Sequence, residues 1–467
     1  MKPHYERLSA LDSSFLQIED PNTHMHVQAT LLFEPGPLAT AEGGVDMERV
    51  RAYIESRLKH IPRYRQRLEY IPYEQHPVWI DDDRFNLFYH VRHTSLPRPG
   101  SERQLKRLCG RILSQKLDAT KPLWEMWFVE GLEGGRFAMV CKAHHCMVDG
   151  VSGIDLLTVL LSPTPDTEFE PGEAWIPRPA PSPTQLVAGE FWRRAAMPLD
   201  LARAAARVVS EPARILGDAV ETAVGIANVI GETTTPASET PINPERIGPH
   251  RRFDWTRMDL NEVKAVKTRL GGTVNDVVLA TVVGALRRFL PKRGVRVEDI
   301  DFRALVPVSV RHKNEHGKLG NKVAQMMARL PLDERDPYRR LERVTAVTTQ
   351  LKQSHQIEAS ELLEEFSDWG PTGLMTQLMK LGSQRRMFNI VVTNVPGPPV
   401  PLYLLGAPML GPIPAVPLFT NQALGIALFS YTDGLYWGVS ADWDAVPDLH
   451  EFVEALNEGF RDLVEAQ

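Results

Sequence analysis

Residues 162 to 184 read SPTPDTEFEPGEAWIPRPAPSPT, seven prolines in 23 positions. Neither a helix nor a central strand accommodates that density, because proline lacks the backbone donor and fixes φ. The stretch reads as a surface linker, and it divides the chain. With 467 residues, 43% of them hydrophobic, there is enough apolar mass for a substantial core, and two domains or two halves of one unit are expected.

Before the linker, 26-HVQATLLF alternates as a strand, 47-MERVRAYIESRL and 102-ERQLKRLCGRILSQKL carry helical periodicity, and 124-WEMWFVEGLEGGRFAMVCKAHH reads as two strands around a Glu-Gly-Gly turn. After the linker, charged residues from Glu190 to Glu221 recur three or four apart opposite an apolar face, with Pro198 and Pro212 as breaks. A second half begins near residue 251. Its strands are 253-FDWTRMDL, 302-FRALVPVSV, 388-FNIVVTN, 422-QALGIALFSYTDG and 435-LYWGVSADWD, and its helices 260-LNEVKAVKTRL, 275-NDVVLATVVGALRRFL and 337-PYRRLERVTAVTTQLKQS. The expectation is an α/β chain of two halves, 1–162 and 251–467, joined by a long crossover over 163–250.

The formal net charge is −6, and the basic pairs at 251–252 and 287–288 stand apart, so nucleic acid is not an expected partner. Three cysteines, Cys109, Cys141 and Cys146, fit no disulfide framework and suit a reducing, cytoplasmic setting. The start lacks a secretion-type apolar core, and no apolar run approaches 18 residues, so a spanning helix is not expected.

The densest chemistry lies in 141-CKAHHCMVDG-150, at the end of a strand and ahead of a helix expected to be capped by Ser152. Loops at strand ends present side chains to clefts. Four residues of metal-ligand type, Cys141, His144, His145 and Cys146, crowd into six positions, partly on a strand that sends neighbours to opposite faces, so no metal site is expected. Two histidines, an aspartate and a glycine suit proton transfer near neutral pH better than a buried polar knot. The chain has no G-x-S-x-G elbow, which favours direct attack by an activated substrate.

The residues 144-HHCMVDG-150 match the HHxxxDG motif of the coenzyme-A-dependent acyltransferase superfamily. Segments 8-LSALDSSFLQIEDPNTHMHV, 122-PLWEMWFVEGL, 273-TVNDVVLA, 304-ALVPVSVR, 320-GNKVAQMMARLP and 393-TNVPGPPVPLYLLG resemble, in order, those of the bacterial wax ester synthase/diacylglycerol acyltransferase family. The resemblance implies two chloramphenicol-acetyltransferase-like subdomains with the active site in a channel between them. It implies transfer of a long-chain acyl group from acyl-CoA, a substrate rather than a cofactor, to diacylglycerol or a long-chain alcohol. It also implies that His145 is the catalytic base, with His144 in support. Asp149 would hold the loop by pairing with an arginine, Arg65 or Arg311, and Gly150 would give clearance.

Thr273 to Asp276 fits a helix capping box, and the same first turn makes Asn275 a candidate oxyanion or substrate contact. Thr393 and Asn394 are candidates to line the cleft, and the proline-rich tract 396–418 reads as a packed loop or the lip of an acyl channel. Pro122, Leu123 and Trp124 read as shaping a strand start. An insoluble acceptor implies peripheral association with the inner membrane face or lipid inclusions, with the amphipathic segment 186–226 as the candidate contact. Two other readings compete: a glycerolipid acyltransferase of HX4D type using His144 as base, and a condensation-like module that binds acyl chains without turnover. Oligomeric state is not legible.

Overall fold

A computed structural model describes residues 4–147, 153–172, 174–195, 236–309, 323–353 and 385–466. Asp149, Gly150, Ser152, Arg311 and the amphipathic segment beyond residue 195 lie outside the described residues.

Two six-stranded sheets organise the chain. The first has the order β12-β13-β2-β7-β6-β5, built from Tyr403–Leu404 (β12), Ala407–Ala415 (β13), His26–Phe33 (β2), Phe137–His144 (β7), Trp124–Glu130 (β6) and Val91–Ser95 (β5). The second has the order β10-β9-β11-β14-β15-β8, built from Val323–Arg329 (β10), Arg303–Ser309 (β9), Ile390–Pro396 (β11), Leu424–Tyr431 (β14), Gly434–Asp442 (β15) and Arg251–Asp259 (β8). A small sheet of Glu6–Arg7 (β1), Pro77–Asp81 (β4) and Gln66–Tyr70 (β3) flanks the N-terminal half. The chain is thus an α/β molecule of two sheet-rich halves.

One departure from the sequence expectation concerns the proline-rich tract. Rather than remaining a loop, residues 407–415 leave the C-terminal half and pair antiparallel with β2, Pro412 opposite Leu31 and Pro414 opposite Ala29. Only the two-residue β12 lies outside this strand, and such a near-edge place is where a strand tolerates proline. The expected C-terminal half, 251–467, therefore contributes a hairpin to the other half's sheet. The same strand also touches the second sheet. A Cβ on Gly438 of β15 would lie 1.7 Å from the Pro414 carbonyl oxygen, so only glycine permits that approach. Nearby, the Tyr436 hydroxyl donates to the Leu410 carbonyl at 2.7 Å.

Apolar periodicity explains the layers. The helix Glu102–Ser114 carries Leu105, Cys109, Ile112 and Leu113 on one face, and they pack with Val129 and Val140 of the first sheet and Phe253, Ile413 and Ala415 from the C-terminal half. This small core joins the halves. In the C-terminal half the buried helix Val274–Phe289 crosses the final helix Leu449–Glu465 so closely that a Cβ on Gly459 would lie 2.7 Å from the Thr281 carbonyl oxygen. Among the described residues no single helix is long and apolar enough to cross a membrane.

The proline-rich linker is pinned to the N-terminal half by side chains. Arg178 grips Asp81 through Nε at 3.0 Å and Nη2 at 2.8 Å, and Trp175 receives the Arg65 guanidinium over its ring at 5.3 Å. Burial pushes the Asp81 carboxyl up, but the bonds to Arg178 dominate and hold it at about 2. The helical residues 183–195 that follow bury Leu186 against Ile71, Val78 and Ile80, and leave Val187, Phe191 and Trp192 exposed.

Candidate active site

β7 ends at His144, in register with His26 of β2, and a single 3₁₀ turn, His145–Met147, follows. The His144 amide donates to the Leu123 carbonyl at 2.9 Å, and the His145 amide donates to the Met25 carbonyl at 2.7 Å. These two bonds fix where the strand stops. They also send the two imidazoles to different surroundings, as a strand-to-turn transition requires. Trp124, read as a structural residue, is buried, with its indole N–H donating to the Tyr64 carbonyl at 2.8 Å.

His144 faces inward. Its Nδ1 accepts the Cys146 amide at 3.2 Å and lies 3.0 Å from the Cys146 thiol, so the neutral ring carries its proton on Nε2. That Nε2 lies 3.2 Å from Glu19 Oε1, which also accepts the Met25 amide at 2.9 Å. Lys116 Nζ stands 3.3 Å from the other Glu19 oxygen. Burial pushes the Glu19 carboxyl up, and the contacts of His144, the Met25 amide and Lys116 more than offset it, leaving it below the ordinary carboxylate value. The His26 ring meets His144 edge-on at 5.8 Å and stacks on His24 at 5.4 Å. Burial, with the nearby Lys142 charge, holds His26 well below the ordinary imidazole value, and burial lowers His24 as well.

His145 lies on the other side of the turn and keeps partial solvent access. The Phe15 ring of the helix Ala10–Gln17 covers it at 4.1 Å, tilted by 33°. Desolvation, reinforced by His144, pushes its pKa down to about 4, so the ring is neutral at physiological pH. Cys146 is buried, and burial followed by the charges of Asp12 and Glu19 pushes its thiol well above its ordinary value. It is a protonated neighbour rather than a nucleophile. Cys109 and Cys141 are pushed up to about 12 by burial. Among the described residues no group of three His, Cys, Asp or Glu side chains is arranged to hold a metal ion.

The turn sits at the seam between the halves. Phe15, Ile18 and Met25 form a small apolar cluster against which Phe419 of the C-terminal half packs. In the adjoining loop the Asn22 side chain donates to the Ile247 carbonyl at 3.0 Å, Arg246 reaches Asp20 at 3.2 Å, and the Arg251 guanidinium donates to the Asn22 carbonyl. Lys142, two residues before His144 on β7, is buried and caps the helix Glu102–Ser114 through the Ile112 and Gln115 carbonyls at 3.0 and 2.9 Å.

The remaining sequence candidates are placed as follows. The capping box is present: Thr273 accepts the Asp276 amide at 3.3 Å and donates its own amide to Asp276 at 2.7 Å. Asn275 is in that first turn and partly buried, and no hydrogen bond joins it to His145 among the described residues. Thr393 and Asn394 are partly buried on β11, paired with Ala427 and Leu428 of β14. Buried Arg65 directs Nη2 to the Glu55 carbonyl at 3.3 Å and its guanidinium face to Trp175. Sequence reasoning did not single out Glu19, His24 or His26. The 24-HMH spacing of two was a signal for the histidines, whereas nothing local marked Glu19.

The chain is similar to known proteins over nearly its whole length. Residues 8–278 match the wax ester synthase/diacylglycerol acyltransferase catalytic domain, and residues 319–464 match the WS/DGAT C-terminal domain. Rv1760 of Mycobacterium tuberculosis, provisionally named a diacylglycerol O-acyltransferase, is 33% identical over 479 residues, covering 98% of this chain and 90% of its own. The tgs1 protein of the same organism, named a probable diacylglycerol O-acyltransferase, is 31% identical over 462 residues, covering 98% of this chain and 95% of its own. The solved wax ester synthase/diacylglycerol acyltransferase from Marinobacter aquaeolei VT8 superposes with a TM-score of 0.67 at 28% identity, covering 98% of each chain. A starter condensation domain of rhizomide synthetase RzmA, solved with C8-CoA, gives a TM-score of 0.60 at 12% identity, covering 99% of this chain and 96% of its own, a likeness of fold. The chain belongs to the wax ester synthase/diacylglycerol acyltransferase family and is an acyltransferase.

Proposed function

We propose that this acyltransferase moves a long-chain acyl group from acyl-CoA to the hydroxyl of diacylglycerol or a long-chain alcohol, with His145 as the base and without a cofactor. The supporting observation is a neutral imidazole with partial solvent access at the seam between the halves, its pKa pushed down to about 4. A neutral imidazole takes the acceptor's proton as the hydroxyl oxygen attacks the thioester carbon. The imidazolium so formed is disfavoured by burial and returns the proton to the departing thiolate. The C–O bond forms, the C–S bond breaks, and the histidine ends as it began. No acyl-enzyme is needed, and the buried, protonated thiols offer no alternative nucleophile.

The HX4D reading would make His144 the base. Its Nδ1 is engaged by Cys146 and its Nε2 faces Glu19, which favours a positioning role instead. Asp149 and Gly150 keep their proposed roles in loop order and clearance, with Arg65 or Arg311 as the arginine, and Asn275, Thr393 and Asn394 theirs as substrate or oxyanion contacts. We assign collection of the insoluble acceptor to a cytoplasmic lipid surface, through exposed Phe191 and Trp192, whose rings meet at 5.7 Å. Thiol release from palmitoyl-CoA with hexadecanol or diacylglycerol tests this function. Acceptor-dependent release supports it, and acyl binding without release supports the condensation-like module.

A further inference from the structure

The basic pair at 287–288 has no role in the chemistry above, and the fold gives it a setting of its own. Arg287 and Arg288 end the helix Val274–Phe289. They line a cleft of about 470 Å³ with Arg335, with Pro337 and Arg340 at the start of the helix Pro337–Gln353, and with Asp462 and Glu465 near the end of the final helix. Four guanidinium groups thus face two carboxylates.

Arg340 is the informative member. It is 1% exposed, its guanidinium lies against Gly284, and its Nε has no hydrogen-bond partner. Its contact with Asp462 is long, at 3.4 Å, and that carboxylate already receives Arg288 at 2.7 Å. A guanidinium has five donors in a fixed fork, and a buried one with an unpartnered donor is costly. Of the other arginines, Arg335 is held by Glu298 at 3.2 Å, and Arg287 donates to the Leu332 carbonyl. The cleft is several times the size of a phosphate group, and arginine forks match phosphate oxygens in geometry and charge.

We propose that this cleft is an anion site for a phosphoryl group, distinct from the histidine site, with Arg340 as its buried anchor and Arg287 and Arg335 as its outer contacts. The phosphoryl group comes from a free phosphate compound or from the headgroup of an anionic lipid, and these sources are separable by experiment.

The test uses the full chain and inorganic phosphate as the probe, read as a shift of unfolding midpoint against chloride at equal ionic strength. A phosphate-specific rise that saturates is expected, with the apparent affinity reduced at least tenfold in Arg287→Gln/Arg335→Gln, each protein read against its own midpoint in chloride. Arg340→Lys keeps a charge and retains part of the response, while Arg340→Met abolishes it; the outer double variant decides should Arg340→Met not fold. A second arm sediments the protein with phosphatidylcholine vesicles with and without phosphatidic acid. Acid-dependent retention that the double variant loses assigns the lipid headgroup. A phosphate response without such retention assigns a free phosphate compound. No phosphate-specific shift, or the same shift in the double variant, overturns the site.

Discussion

His144 Nε2 stands 3.2 Å from Glu19 Oε1, and the same oxygen takes the Met25 amide, whose residue in turn supplies the carbonyl that holds His145. One carboxylate therefore ties His144 to the backbone that positions His145. Glu19→Gln keeps an acceptor for the Met25 amide and the His144 proton and loses only the charge. Glu19→Ala loses both. Stability is expected to fall by about 1 to 3 kcal/mol in Glu19→Ala and by less in Glu19→Gln, following the cost of leaving buried partners unpaired. Turnover should fall about tenfold or more in Glu19→Ala, with KM for acyl-CoA changing less, as steady-state kinetics would show.

The two histidines of the motif should separate by kind of defect. His145→Ala is expected to reduce kcat by a factor on the order of 10² to 10⁴, the usual contribution of a positioned general base, with little loss of thermal stability. His144→Ala removes a buried ring and its links to Cys146 and Glu19, so its main loss is expected in the unfolding midpoint. A larger turnover defect in a stably folded His144→Ala would move the base to His144.

Acid sensitivity follows from histidines kept neutral by burial. His90 and His145 are both pushed down to about 4, and His24 and His26 are lowered too. Below the unfolded value of about 6.5 the unfolded chain binds protons that the folded chain does not, so stability falls as pH drops from 6.5 toward 4. Each such group contributes at most about 1.4 kcal/mol per pH unit in that window. His90 donates through Nδ1 to the Trp124 carbonyl at 2.7 Å and stacks on that indole at 4.5 Å. In denaturant titrations, His90→Gln should flatten the dependence between pH 6 and 4 by about one proton's worth. An unchanged slope would contradict a neutral His90.

Two close backbone approaches, one between the sheets and one between helices, are sensitive to volume. In Gly438→Ala the new methyl meets the Pro414 carbonyl, and in Gly459→Leu the final helix is driven off Thr281. Overpacking of this kind costs roughly 1 to 3 kcal/mol, occasionally more. Gly438→Ala displaces β13 and is expected to disturb turnover beyond its stability cost, whereas Gly459→Leu is remote from the histidines and should cost stability alone.

Where a pattern is local, the sequence shows it. The alternation of 26-HVQATLLF became β2 with the same bounds, and 47-MERVRAYIESR became a helix. The final helix carried a plain stripe, Leu449, Phe452, Val453, Leu456, Phe460 and Leu463, which went unread although every member is buried. β13 was illegible for a physical reason. Its prolines argue against a strand unless the edge it occupies is known, and its partner β2 lies more than 370 residues earlier. His145 could be selected from its motif, but Glu19 acquires its role only when the loop before β2 folds against the end of β7. That is a property of register, which a single sequence does not display.

The most direct measurement follows free thiol released from palmitoyl-CoA by the purified chain, with and without hexadecanol or diacylglycerol, in the parent and in His145→Ala and His144→Ala. The expected result is acceptor-dependent release in the parent, its near-complete loss in folded His145→Ala, and a smaller loss per folded molecule in His144→Ala. Release that persists undiminished in His145→Ala, or a parent that binds palmitoyl-CoA but shows no acceptor-dependent release, would contradict His145 as the base of this acyl transfer.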